Sequence, residues 1–361
     1  MTGHTKRQTC RVCGGTQLTK FLSLGPTPLA NAFLRSTDEF PAEQSYPLDV
    51  YRCEVCSLVQ LLDLIDPGTL FSHYIYVTGT SETVAEHNRT YSKTIVELLK
   101  LQPGNLVVEV ASNDGSLLKC FEPYGMRTLG IEPAENISEL ARSQGIETLT
   151  RFFNEATGRE VQETYGAAHV VIANNVLAHV DDTPDFLEGC KHVLKPDGLI
   201  VIEVPYLRDL LDRLEYDTIY HEHLCYFSVT TLMRLCDRVG LSIRRVEHVP
   251  LHGGSLRVYL GRQEVQGNHA DAVLDYAAAE TEAGFENMDR YERFAADVAL
   301  NRQAVIRLLE KLKSDGKVVA GYGAPAKGNT LLNYCGIDTQ LVSFTVDQNP
   351  LKIGHYTPGT H

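Results

Sequence analysis

Two matched cysteine pairs limit what the start of this chain can become. "CRVC" carries Cys10 and Cys13, and "CEVC" carries Cys53 and Cys56. A C-x-x-C turn aims both sulfurs at one point, and two such turns complete a tetrahedral S4 site suited to zinc. The 39 residues between Cys13 and Cys53 exceed zinc-ribbon spacing, so a small insertion must sit between the two knuckles. Four sulfurs close the coordination shell, which makes the metal structural. A redox pair or four reduced core cysteines would not need two identical spacings. Cys120, Cys190, Cys225, Cys236 and Cys335 are scattered among apolar residues and read as packing. Nine cysteines, odd in number and unevenly spread, argue against a disulfide framework and for a cytoplasmic protein.

From about residue 84 helices alternate with short apolar runs. "VVEVASNDGSLLKCF" predicts a buried strand over Leu106–Val110, a turn, and a helix from Ser116. "TLGIEPA" predicts a second strand ending at Glu132, and "HVVIANNVLAHV", "LIVIEVPY", "SIRRVEHV" and "SLRVYLG" supply others. This alternation implies a mostly parallel, doubly wound α/β sheet. Ligands bind beyond the carboxyl ends of such strands, where Asn113, Glu132, His179 and Tyr206 are expected.

The first turn narrows the ligand. A dinucleotide loop would read G-x-G-x-x-G, so that the backbone can reach a pyrophosphate. Here "EVASNDG" runs from Glu109 to Gly115, with Ala111 and Asn113 at glycine positions and only Gly115 retained. That loop resembles motif I of class I S-adenosylmethionine (SAM) methyltransferases, whose cofactor carries no phosphate. Glu132 is placed to accept both ribose hydroxyls; in an open cleft its loss would affect binding and leave folding alone. Glu109, Ala111, Asn113, Gly115, Glu132 and Asn174 are the expected cofactor residues.

Six ordered motifs extend the resemblance: the cysteine-rich head, "YIYVTGTS", the Asn-Asp-Gly loop, "NNVLAHV", "IYHEH" and "LHGGS". Together they resemble the sugar C-methyltransferases, which methylate a ring carbon of nucleotide-linked 4-keto-6-deoxysugars in deoxysugar biosynthesis. The resemblance runs from Cys10 to the last residue and includes "GYGAPAKGNTLLNYCGI". It implies a zinc-binding domain over 1–75, a class I methyltransferase domain over 76–262, a helical connection over 263–314 and a partial C-terminal Rossmann-like domain over 315–361. Family chains continue past "HYTPGTH", so the sequence reads as a truncated form whose last domain must lean on the rest. In the connection, Phe285, Met288, Tyr291, Phe294, Val298, Val305, Leu308, Leu309 and Leu312 form apolar helical stripes.

Methylating carbon requires a base near the C–H beside a ketone, donors for the developing oxyanion, and a water-poor cleft. "IYHEH" offers these groups. The resemblance implies His223 as base, Glu222 orienting that imidazole, and Tyr220 lining the site. His179 would donate to the sugar ketone, and Tyr76 would close the cleft. His221 is expected to be solvated or one layer behind. His252 either faces the cleft and the sugar or bonds to backbone. Gly321 and Gly323, followed by a helix start, would cradle a substrate phosphate with Lys327 as counter-charge.

The expected substrate carbon is C3, with C5 as a close variant. Competing readings are an NAD-dependent oxidoreductase, suggested by the doubly wound sheet, and a truncated non-catalytic zinc-containing scaffold. A net charge of −13 without a basic stripe excludes nucleic acid as partner. The N-terminus lacks a secretory signal, and no apolar run nears the roughly 20 residues that span a bilayer. The expected partner is a nucleotide-sugar, bound by a monomer or weak homo-oligomer.

Overall fold

The computed structural model describes residues 3–72, 79, 82–251 and 253–361, so Tyr76 and His252 lie outside the described residues. The head contains β1 (His4–Lys6), β2 (Leu18–Pro28), β3 (Ser45–Cys53), β4 (Val59–Leu61), β5 (Asp63–Ile65) and helix α1 (Pro67–Phe71). Alternation along β3 buries Leu48, Val50 and Arg52 on one face. Asp66 starts α1 by accepting from the Thr69 N–H, with Pro67 at the opening position.

The central unit follows in the order α2 (Glu82–Leu99), β6 (Leu106–Val110), α3 (Ser116–Lys119), β7 (Arg127–Ile131), α4 (Glu135–Ser143), β8 (Thr148–Leu149) and α5 (Glu155–Tyr165). It continues through β9 (Ala168–Asn174), α6 (Thr183–Val193), β10 (Leu194–Pro205), α7 (Leu207–Asp212), β11 (Cys225–Tyr226), α8 (Val229–Arg238), β12 (Leu241–Val249) and β13 (Ser255–Arg262). All of β6 is buried, as a strand covered on both faces requires. Helices α5, α6 and α8 start at Asn154, Asp182 and Ser228, whose side chains accept from N–H groups of the first turn.

The sheet order is β12-β13-β10-β9-β6-β7-β8. Strands β10, β9, β6, β7 and β8 pair in parallel, while β13 runs antiparallel to both β10 and β12. The sheet is thus mostly parallel, as expected, with an antiparallel edge where the short link from β12 to β13 permits only a hairpin. Strand β11 does not join it. It pairs with β4 and becomes the outer strand of the head's sheet, in the order β11-β4-β3-β2.

Beyond β13 come α9 (Gln263–Gln266), α10 (Asp271–Glu282), α11 (Met288–Ser314), β14 (Gly321–Tyr322), α12 (Ala326–Cys335) and β15 (Thr345–Val346). Phe285, Tyr291, Phe294, Val298 and Leu309 are buried as the stripe predicts, but Leu308 is 57% exposed and falls off it. The last unit's own cluster has Leu309, Cys335 and Ile337 as buried members. It leans on the head through α12, where Asn329 Nδ2 donates to the Ala30 carbonyl at 2.7 Å. Tyr206, expected at the cleft, instead donates to the fully buried Glu280 at 2.9 Å. The same carboxylate accepts from the Val229 and Thr230 N–H groups that open α8.

Candidate active site and metal centre

The metal site is built by two mirrored turns. Gly14 N–H donates to the Cys10 carbonyl at 2.9 Å, and Ser57 N–H to the Cys53 carbonyl at 2.9 Å. Gly14 and Ser57 both take left-handed backbone to close these turns. The sulfurs of Cys10, Cys13, Cys53 and Cys56 all lie within 4.8 Å of one another. Cys10–Cys56 are 3.4 Å apart and Cys13–Cys53 3.5 Å. Zn–S bonds of ~2.3 Å in a tetrahedron place sulfurs ~3.8 Å apart, so the cluster fits zinc with little adjustment. The Cys56 thiol donates to Cys10 and holds it down to about 4, while burial pushes Cys53 up to about 11. The hydrogen bond to the Cys10 sulfur, and then burial, push Cys56 up as well. A divalent cation would displace the thiol protons of such a cluster on binding.

A cleft of about 600 Å³ opens at the carboxyl ends of the strands, and Glu109, Ala111, Asn113, Glu132 and Asn174 all line it. Ala111 and Asn113 take left-handed backbone, φ 56° and 49°, so the loop keeps a glycine-like shape without the glycines. Gly115 does not line the cleft. Its φ is +75°, and an added Cβ would lie 2.8 Å from Ile146, so it serves the turn behind the wall. Glu132 is only 5% exposed, which corrects the open-cleft expectation. Its oxygens accept from the Asn113 N–H at 3.0 Å and the Ala134 N–H at 2.9 Å, and burial raises its carboxyl. Glu109 is buried with Oε2 lacking a hydrogen-bond partner among the described residues, and burial, then Asp114 and Glu132, raise it well above the carboxylate range. An orphaned acidic oxygen facing a cleft fits a cationic ligand group such as the ammonium of SAM. Asn174 Oδ1 accepts from Tyr91 Oη at 3.4 Å.

The histidine stretch is a turn and not an extended segment. The His223 N–H donates to the Tyr220 carbonyl at 2.8 Å. This brings the Tyr220 hydroxyl to 2.8 Å from His223 Nε2, with ring centroids 4.0 Å apart. His223 Nδ1 lies 2.8 Å from the Thr218 carbonyl. A carbonyl only accepts, so Nδ1 carries the proton and Nε2 holds the basic lone pair. Among the described residues, Glu222 makes no side-chain hydrogen bond to this ring. Its carboxylate accepts from Asn31 Nδ2 at 2.7 Å and ties the turn to the head. His221 is not solvated either: it is 1% exposed, with Nε2 donating to the Pro47 carbonyl at 3.2 Å. A strand would put His221 and His223 on one face, so the turn is what separates the two imidazoles.

His179 follows β9 in a 3-10 turn (Leu177–His179), and its ring lies 4.9 Å from that of His223. Burial pushes it down to about 4, with the Glu222 and Asn175 carbonyls opposing in part. It is neutral at pH 7, and its buried Nδ1 has no partner among the described residues. Tyr220, His223, His179 and Thr218 line the same cleft as the cofactor loop.

Lys327, in the first turn of α12, reaches this cleft together with Lys352 and Asn349. Gly321 and Gly323 do not line it; Gly321 sits in β14, where a Cβ would meet Thr345 at 2.8 Å. The helix start and lysines, not the glycines, face the cleft. Lys352, Thr218 and Asn31 escaped sequence reasoning. A backbone carbonyl carries no side-chain signal, and a lone lysine or asparagine in a polar stretch looks like solvated surface.

Three family models match the chain. "Putative zinc binding domain" covers residues 10–71, "Methyltransferase domain" 84–246 and "C-methyltransferase C-terminal domain" 250–361. The C-methyltransferase NovU of Streptomyces niveus is 37% identical over 351 residues, covering 97% of this chain and 84% of its own. A ubiquinone biosynthesis O-methyltransferase of Haemophilus ducreyi is 25% identical over 165 residues, 40% of this chain and 68% of that one. Among solved structures, SAM-bound magnesium protoporphyrin IX methyltransferase from Synechocystis PCC 6803 overlaps 50% of this chain and 82% of its own, at 15% identity and TM-score 0.37. The PH0226 protein of Pyrococcus horikoshii OT3 overlaps 55% of this chain and 96% of its own, at 15% identity and TM-score 0.40.

Proposed function

This chain belongs to the C-methyltransferase family and is a SAM-dependent enzyme with a zinc-binding head; from that premise we propose that it methylates C3 of an NDP-4-keto-6-deoxysugar. The observation that carries this reading is the Thr218–His223–Tyr220 chain, which leaves a basic Nε2 within the cleft that also holds the cofactor loop.

SAM, when bound, supplies an electrophilic methyl group. Glu132 would hold its ribose, Glu109 its ammonium group, and the Ala111–Asn113 turn and Asn174 its remaining polar atoms. His223 Nε2 takes the proton from the carbon beside the ketone as the Tyr220 hydroxyl turns from the ring toward the substrate. Negative charge gathers on the ketone oxygen, where His179, kept neutral by burial, donates a hydrogen bond. Lys327 and Lys352 meet the diphosphate and hold the sugar in line. His223 afterwards releases its proton to solvent.

Tyr76 and His252 complete the proposed site from outside the described residues. The proposed division is 1–75, 76–262, 263–314 and 315–361. The proposed setting is cytoplasmic deoxysugar biosynthesis by a monomer or weak homo-oligomer. No helix among the described residues is long and apolar enough to cross a membrane.

Tritium transfer from methyl-labelled SAM to a panel of NDP-4-keto-6-deoxysugars, with NMR of the product, tests the reading. Label on a C3 methyl group is expected. SAM binding without transfer to any such sugar would overturn it.

A further inference from the structure

Arg11 lies between the first two metal ligands, in "CRVC", and its side chain has no solvent exposure. Three acceptors surround it. Nε donates to Asp181 Oδ1 at 3.0 Å, Nη1 to Gln60 Oε1 at 3.2 Å, and Nη1 also to the Leu61 carbonyl. The Leu61 peptide passes the contact on: its N–H donates to the Leu224 carbonyl at 3.0 Å, and the Leu224 N–H donates to the Ala178 carbonyl at 2.7 Å. Leu224 directly follows His223, Ala178 directly precedes His179, and Asp181 lies two residues beyond His179. One guanidinium therefore reaches the turns of both cleft histidines.

We propose that Arg11 is a positioning residue that transmits the geometry of the metal knuckle to the spacing of His179 and His223. The inference rests on the roles proposed for those histidines. Stability alone does not account for a guanidinium here. A buried ion pair contributes little over an apolar side chain of similar volume. What an apolar side chain cannot do is hold three acceptors in the plane of one rigid fork. Cys10 and Cys13 clamp the Arg11 backbone on either side, and Thr183 Oγ1 donates to its carbonyl at 3.3 Å. A metal held by those sulfurs would thereby fix where the fork points. The Arg7 side chain, which also contacts Asp181 at 3.0 Å, holds only the His179 side, and near Leu61 Arg7 offers just its backbone N–H, which donates to the Leu62 carbonyl at 2.8 Å.

Arg11→Met and Arg11→Lys in the full chain test this, with zinc content, SAM affinity, kcat and KM measured together. Arg11→Met should keep one zinc per chain, with SAM Kd and sugar-nucleotide KM within about threefold. Its kcat and its rate of substrate α-hydrogen exchange in deuterated water should fall together, by roughly tenfold to a hundredfold, the scale of a small misplacement. Arg11→Lys should recover part of the loss. In protein labelled with ¹³C-histidine, the ring signals of His179 and His223 should move while that of His269 stays. A zinc-replete Arg11→Met with unchanged kcat and ring signals would overturn the proposal. If Arg11→Met does not fold, Asp181→Ala decides, since that side chain is 39% exposed. It should shift the His179 signal and leave His223 in place, and an unmoved His179 signal would refute the coupling. His223→Asn, run alongside, separates the two ideas. If it retains exchange, the histidine roles are wrong; if it is dead while Arg11→Met is normal, only this inference fails.

Discussion

Glu132→Ala should damage both folding and cofactor binding, and the two losses can be separated. The carboxylate is 5% exposed and accepts from two backbone N–H groups, one in the loop after β6 and one just before α4. Hydrogen bonds to a charged group contribute about 1.5–3 kcal/mol each, so the gross loss is ~3–6 kcal/mol. The raised carboxyl shows that desolvation already opposes that gain. A net destabilisation of about 2 kcal/mol without ligand follows. Two ribose hydroxyls on the same oxygens would add charge-assisted bonds of similar size. If half of their gross value survives, about 1.5–3 kcal/mol, the SAM Kd rises roughly ten- to a hundred-and-fifty-fold. Calorimetric titration with SAM measures the second term. Urea unfolding and amide exchange of residues 111–115, both without ligand, measure the first. A folded variant with wild-type Kd would refute the ribose placement. A weakened Kd with no loss of stability or protection would refute the account of the buried N–H groups.

His223→Asn should bind SAM and the sugar nucleotide but lose turnover by roughly 10²–10⁴-fold, and α-hydrogen exchange read by NMR should stop with it. His221→Asn should keep exchange but lose about 1 kcal/mol of stability in urea melts, because it disturbs a buried ring bonded to the Pro47 carbonyl; the reverse pattern would exchange the two roles. Elemental analysis should find one zinc per chain, and Cys53→Ser should lose it with a marked loss of protection in the head. His179 is pushed down from 6.5 to about 4, so the unfolded chain binds the extra proton between those values. The stability it contributes is whole above about pH 6.5 and is lost as pH falls toward 4. Compared with His179→Gln, wild type should lose about 2–3 kcal/mol more between pH 7 and 4 in urea melts; parallel curves would contradict the shift.

Local pattern carried much of this site. The C-x-x-C spacing specified four sulfurs that do converge, and the apolar run 106–110 specified a fully buried strand ending at the cofactor loop. Where a residue's neighbour comes from distant sequence, pattern was silent. Tyr206 turned to Glu280, and Glu222 to Asn31, because packing supplied partners that no short-range period encodes. The histidine stretch misled differently. Strand alternation would put His221 and His223, two residues apart, on one face, and it is the Tyr220–His223 turn that separates them. Gly115 matched a motif position, but its requirement is steric, against Ile146.

Strand β11 gives the head an unusual order of assembly. The head's own strands are made first, but the strand that completes their sheet lies about 160 residues downstream. At ~5–20 residues per second, a ribosome would need roughly ten to thirty seconds to deliver it. Until then β4, whose three residues are all buried in the finished protein, presents an open edge able to accept a stray strand. The same arrangement limits engineering: a head grafted onto another catalytic unit must bring the equivalent of residues 225–226 with it, or leave that edge bare.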